Sequence, residues 1–304
     1  ADLKAHFTFE NVKSDVGDYE GELKNGALLA TVAGFPVLSL GENNGYFDMG
    51  TSVGTMLASL SDYTVSTNLY IPASTSLNSN GNFVFTFANS TDMGRDANGC
   101  IFFGANQSRY AITKSHYSGE QAVTVGEAIH KGEWHAFTYR QRNQVGQLFV
   151  DGVLVATDEV TLTPADLGAT EHNFLGRSCY QGDVYLKGAQ YNDFRIYGGA
   201  MSDEDIILHA SNLVTLNSEL FAQQIAAVMA QTELPATTLY GDIALPTVGD
   251  NGVSIVWQSS DEHFVSAAGK VTRPVVDADS AHVVLTAIFT KQQIALSREY
   301  HVIV

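Results

Sequence analysis

At 304 residues the chain is long enough for two ordinary domains and a sizeable core. Hydrophobic residues make up 45% and charged residues only 16%, which excludes a disordered chain and leaves a surface rich in Asn, Ser, Thr, Gln and Gly. A formal charge of −17 with no Lys/Arg cluster excludes a nucleic-acid footprint; neutral sugars and Ca²⁺ are compatible partners. Two cysteines, Cys100 and Cys179, are too few for a disulfide scaffold; they pair in an exported chain or stay as buried free thiols. No apolar run approaches the ~20 residues of a membrane span. No signal peptide is visible at Ala1, so the chain either lacks one or is in trimmed form.

Phe7 and Phe9 alternate with Thr8 in a first strand, and an acidic loop with Glu10, Asn11, Asp15, Asp18 and Glu20 follows. Further short strands, rich in aromatic or β-branched residues and bounded by turns, are expected over 46–49, 63–70, 83–87, 99–104 and 109–113. The sequence EWHAFTY at 133–139 has clean period-2 alternation. The hairpin QLFVDGVLVAT follows, with Asp151-Gly152 supplying the positive-φ residues of its turn.

The stretch 173–206, NFLGRSCYQGDVYLKGAQYNDFRIYGGAMSDEDI, organises the chain. After a Gly-Arg-Ser turn it predicts a half-buried strand with Tyr185, Phe194 and Ile196 on one side and Asp193 and Arg195 on the other. Gly198-Gly199 ends that strand. Ser202 then caps a helix whose first turn holds Asp203, Glu204 and Asp205, where the helix dipole favours acids. Helical spacing continues to about 233, with Asn217 or Ser218 as cap of a second helix. From Leu234 strands return for about seventy residues, around Trp257.

The pieces EGELKNGALL, WHAFTY followed by LFVDG, and GRSCY with YNDFRIYGGAMSDEDI resemble the laminin-G-like, concanavalin-A-type jelly rolls found beside bacterial glycoside hydrolases. LPT, GVSIVWQSSD, GKVTRP and VVLTA, in that order, resemble the atrophied bacterial immunoglobulin-like domain. The expected fold is therefore all-β: a jelly roll at 1–205, a helical connector at 206–233 and a small immunoglobulin-like sandwich at 234–304. Trp134 and Trp257 fall at core positions of these families.

Calcium takes six to eight oxygens, and the 10–18 loop supplies several close in sequence. In the resembling family, a residue after the first strand and the acid of the D-F-R-I-Y strand often meet at one cation. Carried over, that implies a calcium site from Glu10 or Asn11 with Asp193 and Asn192. Lectin jelly rolls hold sugars with stacked rings and Asn, Asp or Arg side chains. The candidates here are the loop with Arg95, Asp96 and Asn98, then Tyr110, His116 and Tyr117, then Arg177 and Tyr180.

Glycoside hydrolysis needs two carboxyl groups across the scissile bond, and no strand carries an E-x-D-x-x-E pattern. Nucleophile elbow, zinc helix and phosphate loop signatures are absent as well. The resemblance implies a non-catalytic, glycan-binding accessory module outside the cytoplasm, with a catalytic domain beyond Val304. An architectural or protein-interaction module and a stand-alone glycosidase are the alternatives.

Overall fold

The computed structural model describes residues 1–92, 99–276 and 279–304. The chain divides into two units, Ala1–Leu216 and Asn217–Val304. In the first, β1 (Asp2–Phe7), β2 (Glu22–Lys24), β3 (Leu28–Val32), β4 (Phe35–Ser39) and β5 (Tyr46–Asp48) precede a short helix, α1 (Thr51–Leu57). Next come β6 (Tyr63–Tyr70), β7 (Phe83–Ala88), β8 (Cys100–Gly104), β9 (Arg109–Thr113) and β10 (Gln121–Thr124). Then follow β11 (Trp134–Arg142), β12 (Val145–Val150) and β13 (Val153–Glu159). One turn of helix, α2 (Pro164–Leu167), leads to β14 (His172–Leu175), β15 (Gln190–Gly198) and α3 (Asp203–Ala210).

These strands form two antiparallel sheets. One has the order β13-β12-β11-β6-β15-β4-β3, with β1 also paired to β15; the other runs β10-β9-β8-β7-β14-β5-β2. Strand alternation sends one set of side chains from each sheet into a shared core. There Phe85 meets Phe194 edge-on at 6.0 Å, Phe103 lies 5.5 Å from Phe137, and Phe7 lies 5.5 Å from Phe47. Tyr110 of β9 stacks on Tyr139 of β11, and its hydroxyl shares a hydrogen bond with that of Tyr63 in β6. This is the two-layer jelly-roll sandwich expected from the sequence. The expected turn is present at Asp151 (φ 52°) and Gly152 (φ 81°), and Trp134 and Trp257 are buried.

The central strand β15 departs from strict alternation. Its register against β6 shifts between Tyr191 and Asp193, so Asn192 is a bulge residue and both Asn192 and Asp193 leave the core. The strand also begins at Gln190, and Tyr185 lies outside it. Facing away from the core, Arg195 pairs with Asp193, Nε to Oδ1 at 3.0 Å and Nη2 to Oδ2 at 2.7 Å.

Helix α3 covers part of this outer face. Ser202 Oγ accepts from the Asp205 backbone N–H, as expected of its cap. Arg140 donates to the Met201 carbonyl and to Asp203, tying the helix start to β11. Ile206 is buried with Phe149, Tyr197 and Met201. After a two-residue turn, α4 (Leu213–Gln231) begins, so Asn217 and Ser218 lie inside a helix rather than at its cap. The early start follows from Leu213 and Leu216, both buried at helical spacing.

In the second unit, β16 (Ser254–Ser259), β17 (His282–Lys291) and β18 (Ile294–Ile303) make one antiparallel sheet. Its apolar face packs with Ile225 and Val228 of α4, and Trp257 donates from Nε1 to the Pro246 carbonyl at 2.8 Å.

His209, near the end of α3, sits among Arg195, Asp193 and Tyr197 of β15, Asp205 of its own helix and His6 of β1. Burial, and then the Arg195 charge, hold its imidazole below the ordinary 6.5. The unfolded chain therefore takes up the proton more readily. The stabilisation is complete above about pH 6.5 and is lost as pH falls through the lower folded-state value. Urea midpoints of the first unit between pH 7.5 and 5 are expected to fall more steeply for the unsubstituted protein than for His209→Gln. Parallel curves would remove His209 as the titrating group.

Candidate functional site

The outer face of the seven-stranded sheet is apolar where a single sandwich would leave it wet. Ile101 and Phe103 of β8 point into the core, while Cys100 and Phe102 point out, joined by Phe83, Ala88 and Ala111. All five residues of β8 and all six of β7 are buried. The segment 176–184 provides the cover, with Cys179 and Tyr180 packed onto that outer cluster. Backbone bonds pin it: Gly176 N to Val84 O at 3.1 Å, Asn82 N to Val184 O at 2.7 Å, and Val184 N to Asn80 O at 3.0 Å. Gly81 is required at this crossing. Its φ is +96°, and a Cβ there would lie 2.4 Å from the Val184 carbonyl oxygen.

Where the cover stops, a cavity of about 550 Å³ opens. Phe83 and Phe102, stacked at 4.0 Å, line it from the sheet, and Tyr180 sets its ring edge-on to both at 6.3 and 6.1 Å. Tyr117 stands at the mouth, 68% exposed, with its ring 6.4 Å from that of Tyr180. The polar lining includes Asn80, Asn106, Gln107, Arg109, Glu120 and Asp183.

Hydrogen bonds fix several of these groups. Glu120 accepts from the Tyr180 hydroxyl at Oε1 and from Arg109 Nη1 at Oε2, the latter at 2.7 Å. Ser178 Oγ accepts from the Tyr180 N–H at 3.0 Å and donates to Asp183 Oδ2 at 2.6 Å. Burial pushes the Asp183 carboxyl up, against the Ser178 bond, and the Glu120 charge adds to the rise. Burial also raises the Tyr180 hydroxyl far above its ordinary value. An exposed ring beside a half-buried one, above an apolar floor and amid amides and carboxylates, offers stacking and hydroxyl-directed hydrogen bonds to one ligand.

Of the sugar-contact candidates from sequence, Tyr117 and Tyr180 meet at this cavity. His116 is next to it and caps the 3₁₀ turn Tyr117–Gly119, its Nδ1 accepting from the Ser118 N–H. Tyr110 is a correction: it is fully buried between the sheets, because residue parity in β9 turns it inward and Arg109 outward. Arg177 also lies elsewhere, its guanidinium over the rings of Tyr46, Phe174 and Tyr185 at 4.8, 4.9 and 5.7 Å. Arg95, Asp96 and Asn98 lie outside the described residues. Glu120, Asp183, Arg109, Asn106 and Gln107 were missed by sequence reasoning. The alternation in RYAIT could have exchanged Arg109 for Tyr110; the others sit in loops that carry no period.

The residues expected to hold calcium do not fit it. Both Asp193 oxygens are occupied: Arg195 holds them as above, and His6 Nε2 lies 3.0 Å from Oδ1. Asn192 donates from Nδ2 to the Pro36 carbonyl and accepts from Asn68 Nδ2 at Oδ1, and Asn11 Oδ1 accepts from the Lys13 N–H in a local turn. Glu10 is exposed. Among the described residues, no group of three or more His, Cys, Asp and Glu is placed to hold a metal ion.

The chain belongs to the concanavalin A-like lectin/glucanases superfamily, whose family model matches residues 41–207. Residues 221–304 match the atrophied bacterial Ig domain. A search of curated proteins gave no match. Among solved structures, the chain is similar to domain 4 of AbnA, a GH43 extracellular arabinanase from Geobacillus stearothermophilus, in complex with arabinotriose. The TM-score is 0.54 at 18% identity, over 69% of this chain and 99% of that one. It is also similar to the binding domain of Botulinum neurotoxin DC, seen with rat synaptotagmin II (TM-score 0.55, 13% identity, 97% and 73% covered). The same toxin domain with SialylT gives a TM-score of 0.55 at 14% identity, covering 97% and 72%. At these identities the likeness is one of fold.

Cys100 of the sheet and Cys179 of the cover are free, fully buried neighbours where the two meet, and burial holds the Cys179 thiol well above its ordinary value. A thiol reagent at pH 8 is therefore expected to label neither in the native protein and both after unfolding. Fast native labelling would mean that segment 176–184 opens readily.

Proposed function

We propose that the first unit is a non-catalytic glycan-binding module and that the 550 Å³ cavity is its binding site. The observation that carries this is the pairing of the 68%-exposed Tyr117 with Tyr180 above polar side chains. A pyranose or furanose presents an apolar face to rings and hydroxyls to amides and carboxylates, and this lining has both. The likeness to an arabinanase domain seen with arabinotriose supports the same reading. Both oxygens of Glu120 are engaged, one by the Tyr180 hydroxyl and one by Arg109, so this carboxylate holds the ring of Tyr180 in place at the cavity.

In this reading the module serves a bacterial glycan-degrading system outside the cytoplasm, as part of a longer glycoside hydrolase, with the immunoglobulin-like unit as spacer. A second reading, a protein-interaction module, draws on Val153, Leu154 and Val155, all exposed on the edge strand β13.

The test is a glycan-array screen with calcium and again with EDTA, repeated for Tyr117→Ala. Because the residues present do not fit a calcium site, binding is expected to survive chelation. Tyr117→Ala is expected to weaken it by roughly tenfold or more, the worth of a lost stacking ring, with the unfolding temperature unchanged. No binding to any glycan would sink the proposal and favour the interaction module; turnover of a bound glycan would replace it with a hydrolase.

A further inference from the structure

The cavity has a sign. Among its described lining residues, Asp92, Glu120 and Asp183 stand against the single guanidinium of Arg109. That guanidinium is already committed, with Nη1 at 2.7 Å from Glu120 and the group 5.6 Å above the Phe102 ring. Asp183 is held differently. Ser178 reaches only its Oδ2, and no protein donor reaches Oδ1 among the described residues. Its position is also rigid, since Ser178 bonds at once to the Tyr180 N–H and to the carboxylate. The whole chain carries −17, so the long-range field adds to the local one.

We infer that this site selects neutral glycans and rejects acidic ones, with Asp183 as the residue that discriminates. The inference rests on the glycan-binding reading above. A neutral sugar can donate a hydroxyl to the open Oδ1, a charge-assisted hydrogen bond formed by an acceptor that needs no reorganisation. A uronate or sialate carboxylate within ~5 Å of Asp183 meets like charge instead, and the committed Arg109 cannot answer it without abandoning Glu120. Breaking that pair would leave Glu120, a carboxylate with a side chain only 10% exposed, without its cation. Rejection therefore comes from a built repulsive element as well as from a missing attractive one.

The elevated carboxyl of Asp183 fits this arrangement, because burial beside Glu120 already disfavours one more negative charge in the same space. Rejection of acidic sugars should accordingly relax as pH falls and Asp183 takes up a proton.

The experiment is calorimetric titration at pH 7 with two neutral probes, arabinotriose and xylotriose, and two acidic ones, trigalacturonate and sialyllactose. The unsubstituted protein is expected to bind at least one neutral probe and each acidic probe at least tenfold more weakly. In Asp183→Asn the gap should narrow severalfold, through weaker neutral and stronger acidic binding. A second measurement does not depend on that variant folding: in the unsubstituted protein, raising NaCl from 10 to 500 mM should narrow the gap, since salt screens repulsion and leaves stacking intact. Acidic probes bound as tightly as neutral ones would overturn the inference and leave the glycan-binding reading standing. A gap that neither salt nor Asp183→Asn alters would remove Asp183 as discriminator. Failure of all four probes, together with a blank array, would overturn the glycan-binding reading itself.

Discussion

The first unit depends on a constraint imposed by β7 and β8. Both strands are buried on both faces, so one face closes the sandwich and the other, mostly apolar, needs a second cover. Segment 176–184 supplies that cover, fastened by the backbone crossing at Gly81 and Val184. The cover is narrower than the apolar face. Its unfinished edge, with Phe83 and Phe102 below and Tyr180 at the side, is the cavity. Site and fold thus follow from the same requirement to remove apolar surface from water.

Polar groups at that edge are positioned by one another. Glu120 joins Arg109 of β9 to Tyr180 of the cover, so one carboxylate ties sheet to segment. Ser178 sets both the Tyr180 backbone and Asp183. Removing either anchor would leave buried donors or acceptors without partners, which costs more than the bond itself contributes. The second polar centre, on the opposite sheet, has a different character. Arg195 bonds there to Asp193 and to His209 of α3, with His6 beside Asp193, so this network reads as architecture.

Much of the fold was legible in the sequence because strand period, turn chemistry and caps are local. The Asp151-Gly152 turn and the Ser202 cap follow from residue type and spacing, and the buried Trp134 and Trp257 from the family resemblance. The site was legible only in part. Tyr117 and Tyr180 stood out as rings in loops, but nothing in GRSCYQGD says that Cys179 turns down onto Phe102 or that Asp183 returns to Ser178. Glu120 and Asp183 lie 63 positions apart, and sequence carries no sign that one cavity unites them.

The most direct test of the account is a backbone NMR titration of the full chain with a mixture of neutral pentose and hexose oligosaccharides. The account predicts that shifted amides gather around the cavity, at Asn80, Gly104, Asn106, Gln107, Tyr117 and 180–183. Shifts centred instead on Asn68, Asp193 and His209 across the other sheet, or on the immunoglobulin-like unit, would contradict it.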